Sequence, residues 1–162
     1  MPQIVKRSSC VCFTGHRPEK LRRSEQLIKN DLETAIREAV SDGITVFITG
    51  MARGVDIWAA EIVLRLRDEG LPVKLVCASP YEGIENRWET EWRARYREII
   101  SFADSVKYIC PHYSETCFHI RNRWMVDRSA RVIAVFNGGS GGTKNTINYA
   151  KRSGVAVVII EG

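Results

Sequence analysis

Short apolar runs alternate along the chain with longer stretches in which apolar residues recur every three or four positions. Residues 44–48, Ile-Thr-Val-Phe-Ile, show the first pattern, which is typical of a strand buried on both faces. Leu27, Ile28 and Leu32 show the second pattern, the apolar face of an amphipathic helix. The apolar runs predict six strands, at residues 9–14, 44–49, 72–78, 105–110, 131–136 and 155–160.

The alternation of strand and helix predicts the fold class. Right-handed crossovers in such a chain give a parallel sheet that is covered by helices on both faces. We therefore expect an α/β protein with a Rossmann-like three-layer fold, a sheet of about six parallel strands and the strand order 3-2-1-4-5-6. No linker or repeat divides residues 1–162, and 44% of them are hydrophobic, so a single domain with its own core is predicted.

Three predicted strands end in glycine followed by a basic residue. The first runs into Thr14–Arg17, the second into Gly50–Asp56 and the fifth into Asn137–Lys144. Loops that leave the carboxyl ends of parallel strands share one edge of the sheet. In the expected order these three strands lie near the point where the strand order reverses, so their loops should surround a single crevice.

Glycine at the start of a helix points to an anion site, because free backbone N–H groups and the positive end of the helix dipole face the same way. Arg17 and Arg53 add forked donors that suit phosphate. Arg123 could reach the crevice or pair with Asp127 along its own helix. The alternative for each loop is an ordinary strand-to-helix turn, and residues 137–144 lack the Walker A ending. The predicted ligand- or phosphate-binding residues are Thr14, Gly15, His16, Arg17, Gly50, Arg53, Gly54, Arg123, Gly138, Gly139, Gly141, Gly142 and Thr143.

The net charge of +5 suits an anionic ligand but is too modest and dispersed to require nucleic acid. Five cysteines without metal-type spacing indicate reduced thiols, a cytoplasmic location and no metal site. No apolar run is long enough to cross a bilayer, and no signal peptide is evident. We expect a small nucleotide-type ligand, no other required cofactor and no membrane or nucleic-acid partner; self-association is left open.

Several motifs resemble one superfamily. Thr49–Asp56, T-G-M-A-R-G-V-D, resembles the S-G-x-A-R-G-[IV]-D stretch of the DNA-processing proteins of natural transformation. Cys12–Leu21 is similar to the opening signature of the YpsA-like branch of the SLOG superfamily, and Trp58–Glu61, residues 123–127 and Gly141–Thr143 also match family positions. The resemblance covers nearly the whole chain. It implies a Rossmann-like fold that binds a nucleotide or an ADP-ribose-type ligand at the carboxyl ends of the strands.

Whether the protein is an enzyme is left open by a departure from the related LOG phosphoribohydrolases. Those enzymes carry P-G-G-x-G-T-x-x-E with a catalytic glutamate, whereas here Thr146 takes the glutamate position and Asn137 the proline position. Hydrolysis of an N-glycosidic bond in a nucleotide would need another carboxylate, because its transition state has oxocarbenium character. Asp56 and Glu61 are the catalytic candidates.

Each candidate carboxylate has a second interpretation. Asp56 could stabilise its helix N-terminus or accept a ribose hydroxyl, and Glu61 could form a surface ion pair with Arg65. Binding of single-stranded DNA is a third functional class. It requires a basic groove with stacking aromatics, and most aromatic residues here are predicted to be buried. We therefore expect a cytoplasmic nucleotide binder first, an N-glycosidase second and a single-stranded DNA binder last.

Overall fold

Six parallel strands form one sheet in the computed structural model, which describes residues 5–162. Each strand overlaps its predicted stretch, and a helix precedes every strand from the second onward. The strands are β1 Cys10–Gly15, β2 Val46–Thr49, β3 Lys74–Ser79, β4 Ser105–Tyr108, β5 Arg131–Phe136 and β6 Ala156–Glu161. The α-helices are α1 Glu25–Ser41, α2 Val55–Asp68, α3 Thr90–Phe102, α4 Cys117–Asp127 and α5 Gly142–Arg152, and short 3-10 helices span Arg7–Ser9, Pro18–Lys20 and Ile84–Arg87.

The predicted fold class is confirmed, but one strand of the predicted order is misplaced. The sheet runs β4-β3-β2-β1-β5-β6, so β4 lies at the outer edge beside β3 and β5 pairs directly with β1. Residue character explains the difference. β4 is short and carries exposed Ser105 and Lys107, as edge strands do, whereas Val132–Val135 of β5 are fully buried. The strand order therefore reverses between β1 and β5.

Two separate apolar layers lie on the two faces of the sheet. Phe13 of β1 and Phe47 of β2 stack with their ring centroids 6.0 Å apart on the face covered by α1, α2 and α3. Cys12 and Ile48 point to the opposite face, which α4 and α5 cover. This alternation is the two-residue period of a strand. Helices α1, α2 and α3 follow β1, β2 and β3, so the crossovers change face where the strand order reverses.

The helices begin in two different ways. Ser24 caps α1, because its Oγ accepts a hydrogen bond from the Leu27 N–H at 3.3 Å. Gly54 and Gly141 precede α2 and α5 and have no side chain to accept such a bond. The first N–H groups of α2 and α5 are thus left without a side-chain cap. Within residues 5–162, every helix is too short or too polar to cross a membrane.

The end of β1 packs directly against the start of α2. A Cβ built on Gly15 would lie 2.5 Å from Cγ2 of Val55, a distance that side chains do not tolerate. Gly15 is therefore needed for the approach of helix to strand, independently of any ligand.

We expect Gly15→Ala to lower the free energy of unfolding by about 1–3 kcal/mol, the range for overpacking a tight interior. Urea denaturation would measure the loss. Gly142→Ala is the matched control, because a Cβ at Gly142 has no neighbouring atom within 4 Å, and its stability should stay near that of the wild type. Equal stability of the two variants would contradict this packing constraint.

Candidate functional site

The three predicted glycine loops do meet at one edge of the sheet. β1 pairs with both β2 and β5, so the loop after β1 lies between the other two. Residues 16–21 of that loop contact both neighbours: Pro18 lies against Gly54, and the Lys20 carbonyl accepts a bond of 2.9 Å from Asn137 Nδ2. We call residues 14–21, 49–56 and 136–143 the glycine-loop cluster.

The loop after β2 is held in one conformation by several internal bonds. Met51 has φ of 61°, which is unusual for a residue with a side chain, and it is fully buried. The Thr49 hydroxyl donates to the Asp56 carbonyl at 2.9 Å and accepts from the Met51 N–H at 3.4 Å. The Ala52 N–H donates to Asp56 Oδ2 at 3.2 Å. A strained backbone persists where the surrounding contacts over-determine it, as they do here.

Asp56 and Arg121 form a buried pair of opposite charges beneath this loop. Their side chains flank Gly50, since a Cβ at that position would lie 2.9 Å from Asp56 Oδ2 and 3.0 Å from Arg121 Cζ. Arg121 Nη1 donates to the Gly50 carbonyl, and its Nε donates to Asn122 Oδ1 at 2.8 Å. Gly50 therefore has a packing role of its own.

The electrostatic state of Asp56 follows from its burial. Only 6% of Asp56 is exposed, and its Oδ1 has no hydrogen-bond partner among the described residues. Burial raises the pKa of Asp56 to about 6, although the nearby Arg121 and the Ala52 N–H act in the opposite direction. Asp56 is thus largely ionised at neutral pH, with a folding penalty that its neighbours reduce.

Arg121 is a residue that the sequence analysis did not select. It comes from α4, whose buried stripe consists of Cys117, Arg121 and Met125 at four-residue intervals. That spacing was the available signal, because an arginine in register with two apolar residues must face the protein interior. Its contact with Gly50 could not be read from the sequence, since it joins α4 to a loop 71 residues away.

His16 lies in the loop after β1 and is also buried. Its ring stacks on Phe136 with centroids 5.6 Å apart, and its Nε2 has no partner among the described residues. Burial lowers the pKa of His16, and the nearby Lys20 lowers it further, so the imidazole is neutral at neutral pH. Thr14, one strand position before Gly15, pairs in register with Ala134 and is likewise buried.

The loop after β5 is the open part of the cluster. Gly138, Gly141 and Gly142 have no atom within 4 Å of a built Cβ, and the first two have φ of 89° and 128°. Asn137 Oδ1 accepts from the Gly139 N–H at 2.8 Å and shapes the turn. α5 then begins without a side-chain cap, with Thr143 buried in its first turn. Exposed backbone that leads into an uncapped helix N-terminus is the geometry of an anion site.

The predicted arginines occupy three different environments. Arg17 is exposed on the central loop, and Arg53 is partly buried with its Nη2 3.8 Å from Glu19 Oε1. Arg123 lies instead on α4, with its guanidinium 5.1 Å from the Tyr149 ring centroid, and it lines a groove of about 470 Å³ between α4 and α5. The suggested Arg123–Asp127 pairing is absent among the described contacts, since Asp127 instead accepts a 2.6 Å bond from Tyr149.

Glu61 lies outside the glycine-loop cluster. Its carboxylate accepts a 3.1 Å bond from Arg95 Nε on α3. The expected Glu61–Arg65 ion pair was wrong, because Arg65 pairs with Glu69 and Glu33. Thr146 Oγ1 donates to the Gly142 carbonyl at 2.8 Å, so this position holds a hydroxyl engaged with the backbone.

The cysteines and histidines are dispersed. All five cysteines are buried free thiols. Within residues 5–162 there is no group of three or more His, Cys, Asp or Glu side chains close enough to hold a metal ion. The residues that could hold a ligand are therefore the backbone donors and arginines of the loop cluster.

The fold and the loop cluster define a Rossmann-like protein with glycine loops at the carboxyl edge of its sheet. The family model of the YspA SLOG family, YpsA, matches residues 11–157, so the chain belongs to that family. The resemblance seen in the sequence is thereby confirmed. A UPF0398 protein of Oceanobacillus iheyensis is 30% identical over 127 residues, which are 74% of this chain and 68% of that protein. A UPF0398 protein of Bacillus cereus strain B4264 is 28% identical over 153 residues, 89% of this chain and 83% of the relative.

Two solved structures share the fold. DNA processing protein A from Streptococcus pneumoniae superposes with a TM-score of 0.67 at 19% identity over 96% of this chain. DNA processing protein A from Helicobacter pylori, whose structure was described for its single-stranded DNA binding mode, gives 0.66 at 22% identity over 94% of this chain. The chain spans only 51% and 65% of those two proteins. At these identities the likeness shows the fold alone.

The raised pKa of Asp56 predicts a specific pH dependence of stability. Between about pH 4 and pH 6 the folded protein holds the Asp56 proton more tightly than the unfolded chain does, so the wild type loses stability as the pH rises through this range. Asp56→Asn removes the ionisation, and its amide oxygen can still accept from the Ala52 N–H. The variant's stability relative to wild type should therefore rise by about 2 kcal/mol from pH 4 to pH 7. Urea denaturation of both proteins at each pH would measure this, and a constant difference would contradict it.

Proposed function

We propose that the protein binds the phosphate groups of a nucleotide or nucleotide-derived ligand at the N-terminus of α5. The observation that carries this proposal is the exposed, glycine-rich segment Gly138–Gly142, which runs from a buried central strand into a helix without a side-chain cap. The segment is exposed to solvent, and the first N–H groups of α5, which have no side-chain cap, add to the helix dipole. The corresponding start of α2 is covered by Pro18 and is the poorer anion site.

Cationic side chains support a phosphate at this position. Arg17 is exposed and stands two residues beyond Gly15, which pairs in register with Val135 near the end of β5. Lys20 belongs to the same loop, and its carbonyl is bonded to Asn137. The guanidinium of Arg17 can donate two parallel hydrogen bonds to a phosphate. In this proposal Arg17 and Lys20 supply positive charge beside the α5 N-terminus.

Two buried polar atoms suggest that the ligand or ordered water completes the cluster. His16 Nε2 and Asp56 Oδ1 lack partners among the described residues although each residue is only 6% exposed. Buried polar groups are nearly always hydrogen-bonded, so such exceptions call for an additional partner. The specific form of the proposal is an ADP-ribose or adenine-nucleotide ligand.

Single-stranded DNA is the second candidate, because it is the ligand named for the Helicobacter pylori structure that shares this fold. Three carboxylates lie in or beside the loops at this edge, those of Glu19, Asp56 and Glu82. They repel the many phosphates of a DNA strand more than those of a single diphosphate. A small ligand is thus the better fit.

The proposed site predicts that Gly142→Asp abolishes binding while the fold survives. Two like unit charges about 4 Å apart near a protein surface repel by about 4 kcal/mol, so affinity should fall by about a hundredfold or more. The fold should be retained, because a Cβ at Gly142 meets no atom within 4 Å and an acidic residue in a first helical turn is favourable. Calorimetric titration with ADP-ribose, NAD, ATP, AMP and inorganic pyrophosphate would measure the affinities.

Gly142→Asn is the matched control, since it adds nearly the same bulk without the charge. Its loss of affinity should be much smaller than that of Gly142→Asp. If folded Gly142→Asp bound every ligand as tightly as the wild type, the phosphate site would be elsewhere. Tight binding of a single-stranded oligonucleotide that survives raised salt would favour the second candidate.

The site also predicts little or no release of free base from AMP, GMP, CMP or UMP. Thr146 replaces the glutamate of the LOG enzymes, Glu61 is paired with Arg95, and Asp56 is buried beneath its own loop. Glu61 is engaged by Arg95 outside the glycine-loop cluster and Asp56 is buried, so neither is placed to stabilise an oxocarbenium-like transition state at that cluster. Chromatography after long incubation would detect the base. Rapid release that is lost in Glu61→Gln or Asp56→Asn would instead support an N-glycosidase.

A further inference from the structure

We propose that Tyr81 and Tyr113 form a stacking subsite for the base of the nucleotide ligand. Tyr81 lies two residues beyond the end of β3, in the segment that leads to α3, and Tyr113 lies in the loop between β4 and α4. Their rings meet edge to face, with centroids 6.0 Å apart and an interplanar angle of 80°. The inference rests on the proposed function, because it assigns the second half of the same ligand.

The pair is accessible to solvent. Tyr113 is 59% exposed and Tyr81 is partly exposed. In contrast, Phe13, Phe47 and Tyr96 are fully buried in the core. Two tyrosines in contact at the surface leave one ring face free, and base–aromatic stacking needs only such a face.

The pair lies on the same edge of the sheet as the glycine-loop cluster. β3 pairs with β2, so the strand that precedes Tyr81 lies one strand spacing, about 4.8 Å, from the strand that leads to Gly50–Gly54, and three spacings from β5. A chain of neighbours joins the two regions. Tyr113 lies shortly before α4, and Arg121 of α4 donates to the Gly50 carbonyl, so α4 connects the two loops. The tyrosines thus border the β2 side of the proposed ligand site.

The charges around the tyrosines select a neutral ring over a phosphate. Glu82 follows Tyr81 directly, Glu115 is two residues beyond Tyr113, and both are exposed. These carboxylates would repel a phosphate. A base is uncharged, and its N–H groups can donate hydrogen bonds to carboxylates. Phosphates would remain at the α5 N-terminus and the base at the tyrosines.

The test compares ligands with and without a base. AMP and ribose 5-phosphate differ by the base alone, and inorganic pyrophosphate reports the phosphate site by itself. We expect Tyr113→Ala to weaken AMP and ADP-ribose binding by about 5- to 150-fold, the stacking range, and to leave ribose 5-phosphate and pyrophosphate unchanged. Tyr113→Phe should retain affinity, since it keeps the ring. Phe102→Ala removes an aromatic residue that is 57% exposed at the far end of α3 and should change nothing.

Each other result identifies which proposal fails. If pyrophosphate and AMP bind but Tyr113→Ala and Tyr81→Ala leave AMP affinity unchanged, the base subsite is wrong and the phosphate site stands. If no nucleotide or pyrophosphate binds the wild type, the proposed function fails and the subsite fails with it. A loss that affects a single-stranded oligonucleotide but not AMP would assign the tyrosines to a polymer and overturn the inference.

Discussion

The arrangement of the site depends on the contact between Gly15 at the end of β1 and Val55 at the start of α2. α2 follows β2, yet its first turn reaches across to β1 because Gly15 has no side chain to hold it away. This contact brings the loop after β2 beneath the loop after β1, where Pro18 closes over Gly54. Two of the three glycine loops are therefore packed into each other, and their glycines serve the packing of the protein.

The buried charges beneath these loops fix their conformation at an energetic penalty. Asp56 accepts a hydrogen bond from the Ala52 N–H, and Arg121 donates one to the Gly50 carbonyl. Met51, between these two residues, keeps a left-handed backbone conformation. An ionised carboxylate in this environment destabilises the fold, as its raised pKa shows. Removing one member of a buried charged pair leaves the other uncompensated, so the two residues act as a unit. These contacts fix the conformation of the loop after β2, whereas the segment Gly138–Gly142 remains exposed.

The open loop, Gly138–Gly142, distinguishes the proposed site from the other two helix starts. Gly138, Gly141 and Gly142 have no atom where a Cβ would lie, so close packing does not require glycine there. The positive φ of Gly138 and Gly141 favours glycine, and the segment leads into the uncapped N-terminus of α5, a geometry that suits an anion. Together with the tyrosines after β3 and β4, the loop would let one ligand extend over the carboxyl ends of the central strands.

The amino-acid sequence by itself determined the elements, the parallel three-layer fold and the meeting of three glycine loops, because apolar periodicity and short crossovers leave few arrangements. It also carried the signal for the position of β4, in the exposed Ser105 and Lys107, and for the burial of Arg121, in its spacing from Cys117 and Met125. The tertiary structure alone decided which glycines are covered and which are open. Gly15, Gly50 and Gly142 look alike along the chain. In the structure Gly15 packs against Val55 and Gly50 packs against Arg121, whereas a Cβ at Gly142 would meet no atom within 4 Å. Those contacts join residues far apart in sequence, and no local pattern encodes them.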